Sequence, residues 1–135
     1  MAKGFDGREL IKILKQYVPA KSSVLELGMG PGVDLAILAE SFEVTGSDNA
    51  EIFLGKCHAT HPEASLIHLD INAIQIDATF DAIYSNKVLH HLSEDELRSS
   101  LIQQSKILKQ GGILLHSFWR GEGVEEIQGM RFTYY

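Results

Sequence analysis

The chain has 135 residues, one domain's length, and its 44% hydrophobic and 22% charged content is that of an ordinary globular protein with a real core. Eighteen acids against 12 bases give a net charge of −6, and Lys12, Lys15 and Lys21 are too scattered to form a phosphate-binding patch, which argues against nucleic acid as partner. Cys57 is alone, so no internal disulfide can form; no run approaches the roughly 18 apolar residues of a membrane span, and Met1 to Lys12 lacks a signal-peptide pattern, so the cytoplasm is the expected compartment.

Residues 1–135 read as a single domain with no repeat or linker. Asp6 and Glu9 have the spacing of a capping box, and Leu10, Ile11, Leu14, Tyr17 and Val18 follow helical spacing until Pro19. Val24 to Leu27 is a short buried strand that runs into glycines, and Val33 to Glu40 is helical. Phe42 to Ser47 predicts a second strand, Asn49 to Ala59 a helix, and Ser65 to Leu69 a third strand. Phe80 to Ser85 is apolar enough for an interior parallel strand. Ser93 and Glu96 predict a capping box opening a helix through Leu97, Leu101, Ile102 and Leu108. Gly111-Gly112 is expected to stop that helix before a fifth strand, Ile113 to Phe118. Arg131 to Tyr135 could begin another. Strands alternating with helices imply a doubly wound, mostly parallel α/β sheet.

Glu26-Leu27-Gly28-Met29-Gly30-Pro31-Gly32 follows a strand and opens a helix, the context in which a glycine motif carries meaning. Glycines there permit a tight turn and close approach of backbone to ligand. A nicotinamide fingerprint would be G-x-G-x-x-G, but the glycines stand at 28, 30 and 32, and Val33 occupies the completing position. Glu26, two residues before the first glycine, would repel a pyrophosphate and suit a cationic ligand.

Asp48 ends the second strand 20 residues after Gly28, where a carboxylate can accept both hydroxyls of a ribose; capping the helix after Asn49 is the other role open to it. Asp70 ends the third strand, followed by Ile71. The fourth leads into Ser85-Asn86-Lys87-Val88-Leu89-His90-His91-Leu92, and Leu108-Lys109-Gln110-Gly111-Gly112 precedes the fifth.

This ordered set resembles the class I S-adenosylmethionine-dependent methyltransferases: E-x-G-x-G-x-G, an acid after each of the next two strands, F-D-x-I leading to L-H-H-L, and L-K-x-G-G. The resemblance spans Val24 to Phe118. It implies a Rossmann-like methyltransferase fold with S-adenosylmethionine as cofactor. By this resemblance Glu26, Gly28, Met29, Gly30 and Gly32 surround the methionine part, with Glu26 near the amino group. Asp48 and Asn49 then take the ribose, Asp70 the adenine amino group, Ile71 the ring and Asn86 the methionine end. His90 and Trp119 are the acceptor-side candidates. The family's last two strands form an antiparallel hairpin after a further helix. This chain is too short for that ending, so the sheet is expected to lack it, and the incomplete edge to invite self-association.

The leading expectation is methyl transfer to a small molecule through an oxygen, carbon or sulfur nucleophile, since Asn86-Lys87-Val88-Leu89 lacks the N/D-P-P-Y/F motif for planar nitrogens. A non-catalytic or partner-dependent cofactor-binding module is the second reading. A nicotinamide-dependent oxidoreductase is the third. Cys57, His58 and His61 lack a zinc spacing with a second ligand pair, so no metal is expected.

Overall fold

The computed structural model describes residues 7–89, 92–118, 123–127 and 130–134, with side chains as far as Ser117. The order of elements is α1 (Arg8–Tyr17), β1 (Ser23–Glu26), α2 (Val33–Ala39), β2 (Glu43–Asp48), α3 (Glu51–Thr60), β3 (Ser65–His68), β4 (Phe80–Asn86), α4 (Glu94–Lys106), β5 (Leu108–Phe118), β6 (Gly123–Ile127) and β7 (Met130–Tyr134). They build one seven-stranded sheet in the order β3-β2-β1-β4-β5-β7-β6. The first five strands pair in parallel, with Val24 opposite Val44 on one side and Ala82 on the other. This is the doubly wound, mostly parallel fold expected from the alternation of elements.

Side chains alternate across a strand, and the core divides accordingly. Val24, Ala82 and Tyr84 face Leu10, Ile11 and Leu14 of α1 and Leu38 of α2. Leu25, Ile83 and Leu114 face the opposite way, with Leu101 of α4. Each Val, Leu or Ile side chain among them stabilises the fold by roughly 1.5–3 kcal/mol when buried. On the α2 side, Met29, Leu35 and Cys57 form a third cluster that ties α3 down. No described helix is long and apolar enough to cross a membrane.

The helix starts divide between local and tertiary control. Ser93 and Glu96 form the expected capping box: the Glu96 amide donates to Ser93 Oγ at 3.2 Å and the Ser93 amide to Glu96 Oε1 at 2.9 Å. The start of α1 departs from expectation. Its N-cap is Gly7 with no side-chain cap, and Asp6 lies outside the described residues. The Gly7 amide donates instead to the buried Asp34 carboxylate at 2.7 Å, and a Cβ on Gly7 would collide with Tyr84 Oη and that carboxylate.

The other end of the chain also differs in detail. α4 stops at Lys106, and β5 begins already at Leu108. Phe80 pairs with Leu108 but Ala82 with Ile113, so Gly111-Gly112 belongs to a bulge within β5 and does not end a helix. Beyond β5 the sheet continues in a short hairpin. β6 and β7 pair antiparallel, and β7 joins β5 in parallel at Ser117 and Phe118, so the side of β5 beyond β4 is covered there.

Candidate functional site

The chain crosses from β3 back to β4, on the other side of β1. Ligands of open α/β sheets bind at such a reversal, outside the carboxyl ends of the strands. Here a cleft of about 470 Å³ lies at that end, lined by residues that follow β1, β2, β3 and β4. The lining includes Gly28, Gly30, Asp48, Asn49, Asp70 and Ile71, all anticipated, together with Phe53, Leu69, Asn72, Lys87 and Val88.

The loop after β1 is held by backbone bonds. The Leu27 amide donates to the Tyr84 carbonyl at 2.8 Å and the Met29 amide to that of Ser47 at 2.9 Å. Gly28 (φ 64) and Gly30 (φ 55) are left-handed, a region costly for residues with a side chain. A Cβ on Gly28 would stand 2.7 Å from Val88 Cγ1, whereas one on Gly30 would meet nothing within 4 Å. The first glycine therefore serves packing, and the second leaves backbone open to the cleft. Gly32, the N-cap of α2, stands behind the loop over the Cys57 thiol.

Asp48 closes the loop against β2. Its Oδ2 accepts the Gly30 amide at 3.0 Å and its Oδ1 the Ala50 amide at 2.8 Å. It lines the cleft, and each carboxylate oxygen has a second lone pair to offer. The Asp70 Oδ1 accepts the Asn72 amide at 2.8 Å, and Gln103 of α4 steadies the same loop through Ile74 and Asn72.

Glu26 lies outside the set of residues that line the cleft. It ends β1 and is only 3% exposed, and among the described residues its Oε1 has no hydrogen-bond partner. Burial, then the charges of Asp34 and Asp48, push its carboxyl well above the usual range. A buried carboxyl of this kind returns to its ionised form when a cation pairs with it. The Cys57 thiol is also pushed up, first by burial and then by Glu26 and Asp48, and it donates to the Gly30 carbonyl at 3.4 Å. That makes it a packing group without nucleophilic character. No group of three or more His, Cys, Asp or Glu among the described residues could hold a metal ion.

Four anticipated residues, Glu26, Gly32, Met29 and Asn86, are not among those that line the cleft. Met29 is buried in the cluster with Leu35 and Cys57, so only its backbone belongs to the loop. Asn86 shares a strand face with Tyr84, and both bond Asp34 Oδ2, at 3.1 and 2.8 Å. Asn86 Oδ1 also accepts from Ser117 Oγ at 2.6 Å. His90 and Trp119 lie outside the described residues, as does His91.

The methyltransferase domain family matches residues 24–112 of the chain. Among solved structures, DesVI of Streptomyces venezuelae has a TM-score of 0.77 at 19% identity, over 93% of this chain and 59% of that one. A SAM-bound amino pentose methyltransferase from Micromonospora echinaspora has a TM-score of 0.75 at 23% identity, over 90% and 58%. A TehB-like SAM-dependent methyltransferase from Corynebacterium glutamicum has a TM-score of 0.68 at 28% identity, over 78% and 58%. This chain thus spans less than two thirds of the length of each. No curated protein matches it.

Proposed function

The chain belongs to the methyltransferase domain family, and from that premise we propose that it binds S-adenosylmethionine and transfers its methyl group to a small molecule. One observation carries the cofactor reading: a cleft at the carboxyl ends of the parallel strands joins the glycine loop at Gly28 and Gly30 to the acids Asp48 and Asp70, with the buried Glu26 carboxyl, one oxygen unpartnered among the described residues, two residues before that loop. Such a cleft fits a ligand with an ammonium group, hydroxyl donors and an amino-bearing base. It does not fit a pyrophosphate.

Glu26 faces the ammonium in this reading, and the backbone of Gly28 and Gly30 closes on the methionine chain. Met29 and Gly32 fix the shape of that loop from behind. Asp48, with Asn49 beside it, takes the ribose hydroxyls. Asp70 accepts from the adenine amino group, while Ile71, Leu69, Phe53 and Val88 give the ring apolar surface. Asn86 acts from below, through Ser117, on the loop that carries Lys87. When bound, the cofactor supplies a methyl group already activated on a sulfonium. The protein's part is to orient the acceptor in line and exclude water, with a base only where the acceptor must lose a proton.

His90 and Trp119 are the proposed acceptor-side residues. Oxygen, carbon and sulfur nucleophiles are the proposed acceptor classes. Amino sugars belong in the same test panel, because one structural neighbour is an amino pentose methyltransferase. The proposed setting is a single cytoplasmic domain acting away from membranes and nucleic acid, supported by the net charge of −6 and the one free, buried cysteine. Self-association, if it uses the sheet, would run through the outer edge of β6, and sedimentation equilibrium reads it directly.

Mass spectrometry of ligand carried through purification tests the cofactor. Methyl transfer from labelled cofactor to a panel of small hydroxyl, thiol, carbon-acid and amine acceptors tests turnover. Cofactor binding with no transfer to any acceptor supports the binding-module reading instead.

A further inference from the structure

Parallel strands are usually joined through a helix. The connection from β3 to β4 contains no helix, and its residues 69–79 include Asp70, Ile71 and Asn72 of the cleft wall. Such a segment keeps one conformation only where other groups hold it against its own entropy. Its first turn is closed from within. The Ala73 amide donates to the Asp70 carbonyl at 2.9 Å, and the Asn72 amide to Asp70 Oδ1 at 2.8 Å, which leaves Asp70 Oδ2 for a donor outside the turn.

The rest of the hold comes from α4. Gln103 Oε1 accepts the Ile74 amide at 2.6 Å, and Gln103 Nε2 donates to the Asn72 carbonyl at 3.2 Å. Nε2 also donates to Ser99 Oγ, one turn back along the helix, at 3.1 Å, so both ends of the side-chain amide are used. The helix is itself fixed to the sheet. Gln104 Oε1 lies 2.7 Å from Nε2 of the buried His116 in β5, and Leu101 shares a core cluster with Ile74. The two neighbouring glutamines thus divide the work: Gln104 anchors the helix, and Gln103 anchors the loop to it.

Gln103 is not among the residues that line the cleft, so it acts on a ligand only through the loop. We infer that Gln103 is a positioning residue for base selectivity: by holding Asn72 and Ile74 from α4, it aims the Asp70 carboxylate at the amino group of the bound base. This rests on the reading of the cleft as the cofactor site, with Asp70 accepting from adenine. A carboxylate held in place beforehand binds that donor without first losing loop freedom. A base with a carbonyl where adenine has its amino group meets the carboxylate acceptor to acceptor and gains nothing from the aim.

Calorimetry on the full chain tests it, with S-adenosylhomocysteine and S-inosylhomocysteine, which has that carbonyl, as probes. The native chain should prefer the adenosyl ligand by about ten- to a hundredfold. Gln103→Met keeps the length of the side chain and removes its bonds. It should cut the preference by about three- to tenfold, by weakening S-adenosylhomocysteine alone. Gln103→Glu keeps an acceptor for the Ile74 amide and should restore most of the preference. A native chain that binds both ligands equally overturns the inference while leaving the cofactor reading intact. So does a preference that persists in Gln103→Met, an equal weakening of both ligands, or no rescue by Gln103→Glu. Failure of the native chain to bind either ligand overturns both.

Discussion

The Asp48 carboxylate accepts the Gly30 amide at 3.0 Å, so the acid proposed for the ribose also fixes the glycine loop that would hold the methionine chain. Two halves of the site are thereby set by one side chain. Asp48→Ala should weaken S-adenosylhomocysteine binding by about 2–4 kcal/mol, roughly 30- to 1,000-fold, through loss of charge-assisted bonds. It should also lower stability by about 1 kcal/mol, because the Gly30 and Ala50 amides lose their acceptor. Asp48→Asn keeps one acceptor oxygen and should fall between. Calorimetry and thermal melts on both variants check this; unchanged affinity with lowered stability would leave Asp48 a purely structural role.

Gly28 and Gly30 should separate packing from binding. Gly28→Ala places a methyl 2.7 Å from Val88 Cγ1 on a backbone at φ 64, and should destabilise by more than the roughly 1–2 kcal/mol of the left-handed backbone alone. Gly30→Ala meets nothing within 4 Å, so it should show only that backbone cost while obstructing the cleft. Val88→Ala should cost less stability in Gly28→Ala, where it relieves the clash, than in Gly30→Ala, where it only removes core packing. Denaturant unfolding of the single and double variants reads the difference.

Glu26→Gln should move stability and binding in opposite directions. The folded pKa of Glu26 lies well above 4.5, chiefly through burial. A raised folded pKa means that the folded chain keeps a proton the unfolded chain has released. Its stability contribution is complete below 4.5 and is lost as pH rises through the folded value. Without ligand, the glutamine variant should therefore gain on the native chain as pH rises above 4.5, seen in melts at pH 4 and pH 7 in parallel. Binding of an ammonium-bearing ligand should weaken in the variant. In the native chain, binding should release a proton, which calorimetry in buffers of different ionisation heat detects.

His116 sets an acid limit on the fold. It is fully buried, and burial lowers its pKa from 6.5 to about 3. Ser85 Oγ lies 2.6 Å from Nδ1, and Gln104 Oε1 lies 2.7 Å from Nε2. Gln104 Nε2 donates to Ser100 Oγ, which leaves Gln104 Oε1 to accept from a neutral ring protonated at Nε2. A lowered folded pKa means that the unfolded chain binds the extra proton. Stability is present above pH 6.5 and is lost as pH falls toward 3, at about 1.4 kcal/mol per pH unit. His116→Gln should flatten that slope whatever it does to stability at pH 7. Denaturant unfolding between pH 4 and 7 measures it.

The strand-end acids were legible because each closes a short apolar run, and a parallel sheet turns such positions toward one end. Asp48 and Asp70 could be placed at the cleft from that alone, whereas Glu26 ends β1 without lining it. Strand alternation puts Asn86 with Tyr84 on the Asp34 side, a contact the sequence does not show. Met29 sits within the motif, yet its side chain is drawn into the Leu35 and Cys57 cluster. Lys87 and Val88 were visible as residues but not as a wall, since their role depends on β4 lying beside β1. The start of α1 was read locally, whereas a tertiary bond from Gly7 to Asp34 decides it. Likewise the Gly111-Gly112 pair reads as a helix stop until pairing with β4 shows it to be a bulge.

The cleft is proposed to be built for S-adenosylmethionine. Titration calorimetry of the native chain with S-adenosylmethionine, S-adenosylhomocysteine and a nicotinamide dinucleotide tests it most directly. Saturable one-to-one binding of the first two and none of the third is expected. Tighter binding of the nicotinamide dinucleotide, or no binding of either adenosyl ligand, would contradict it.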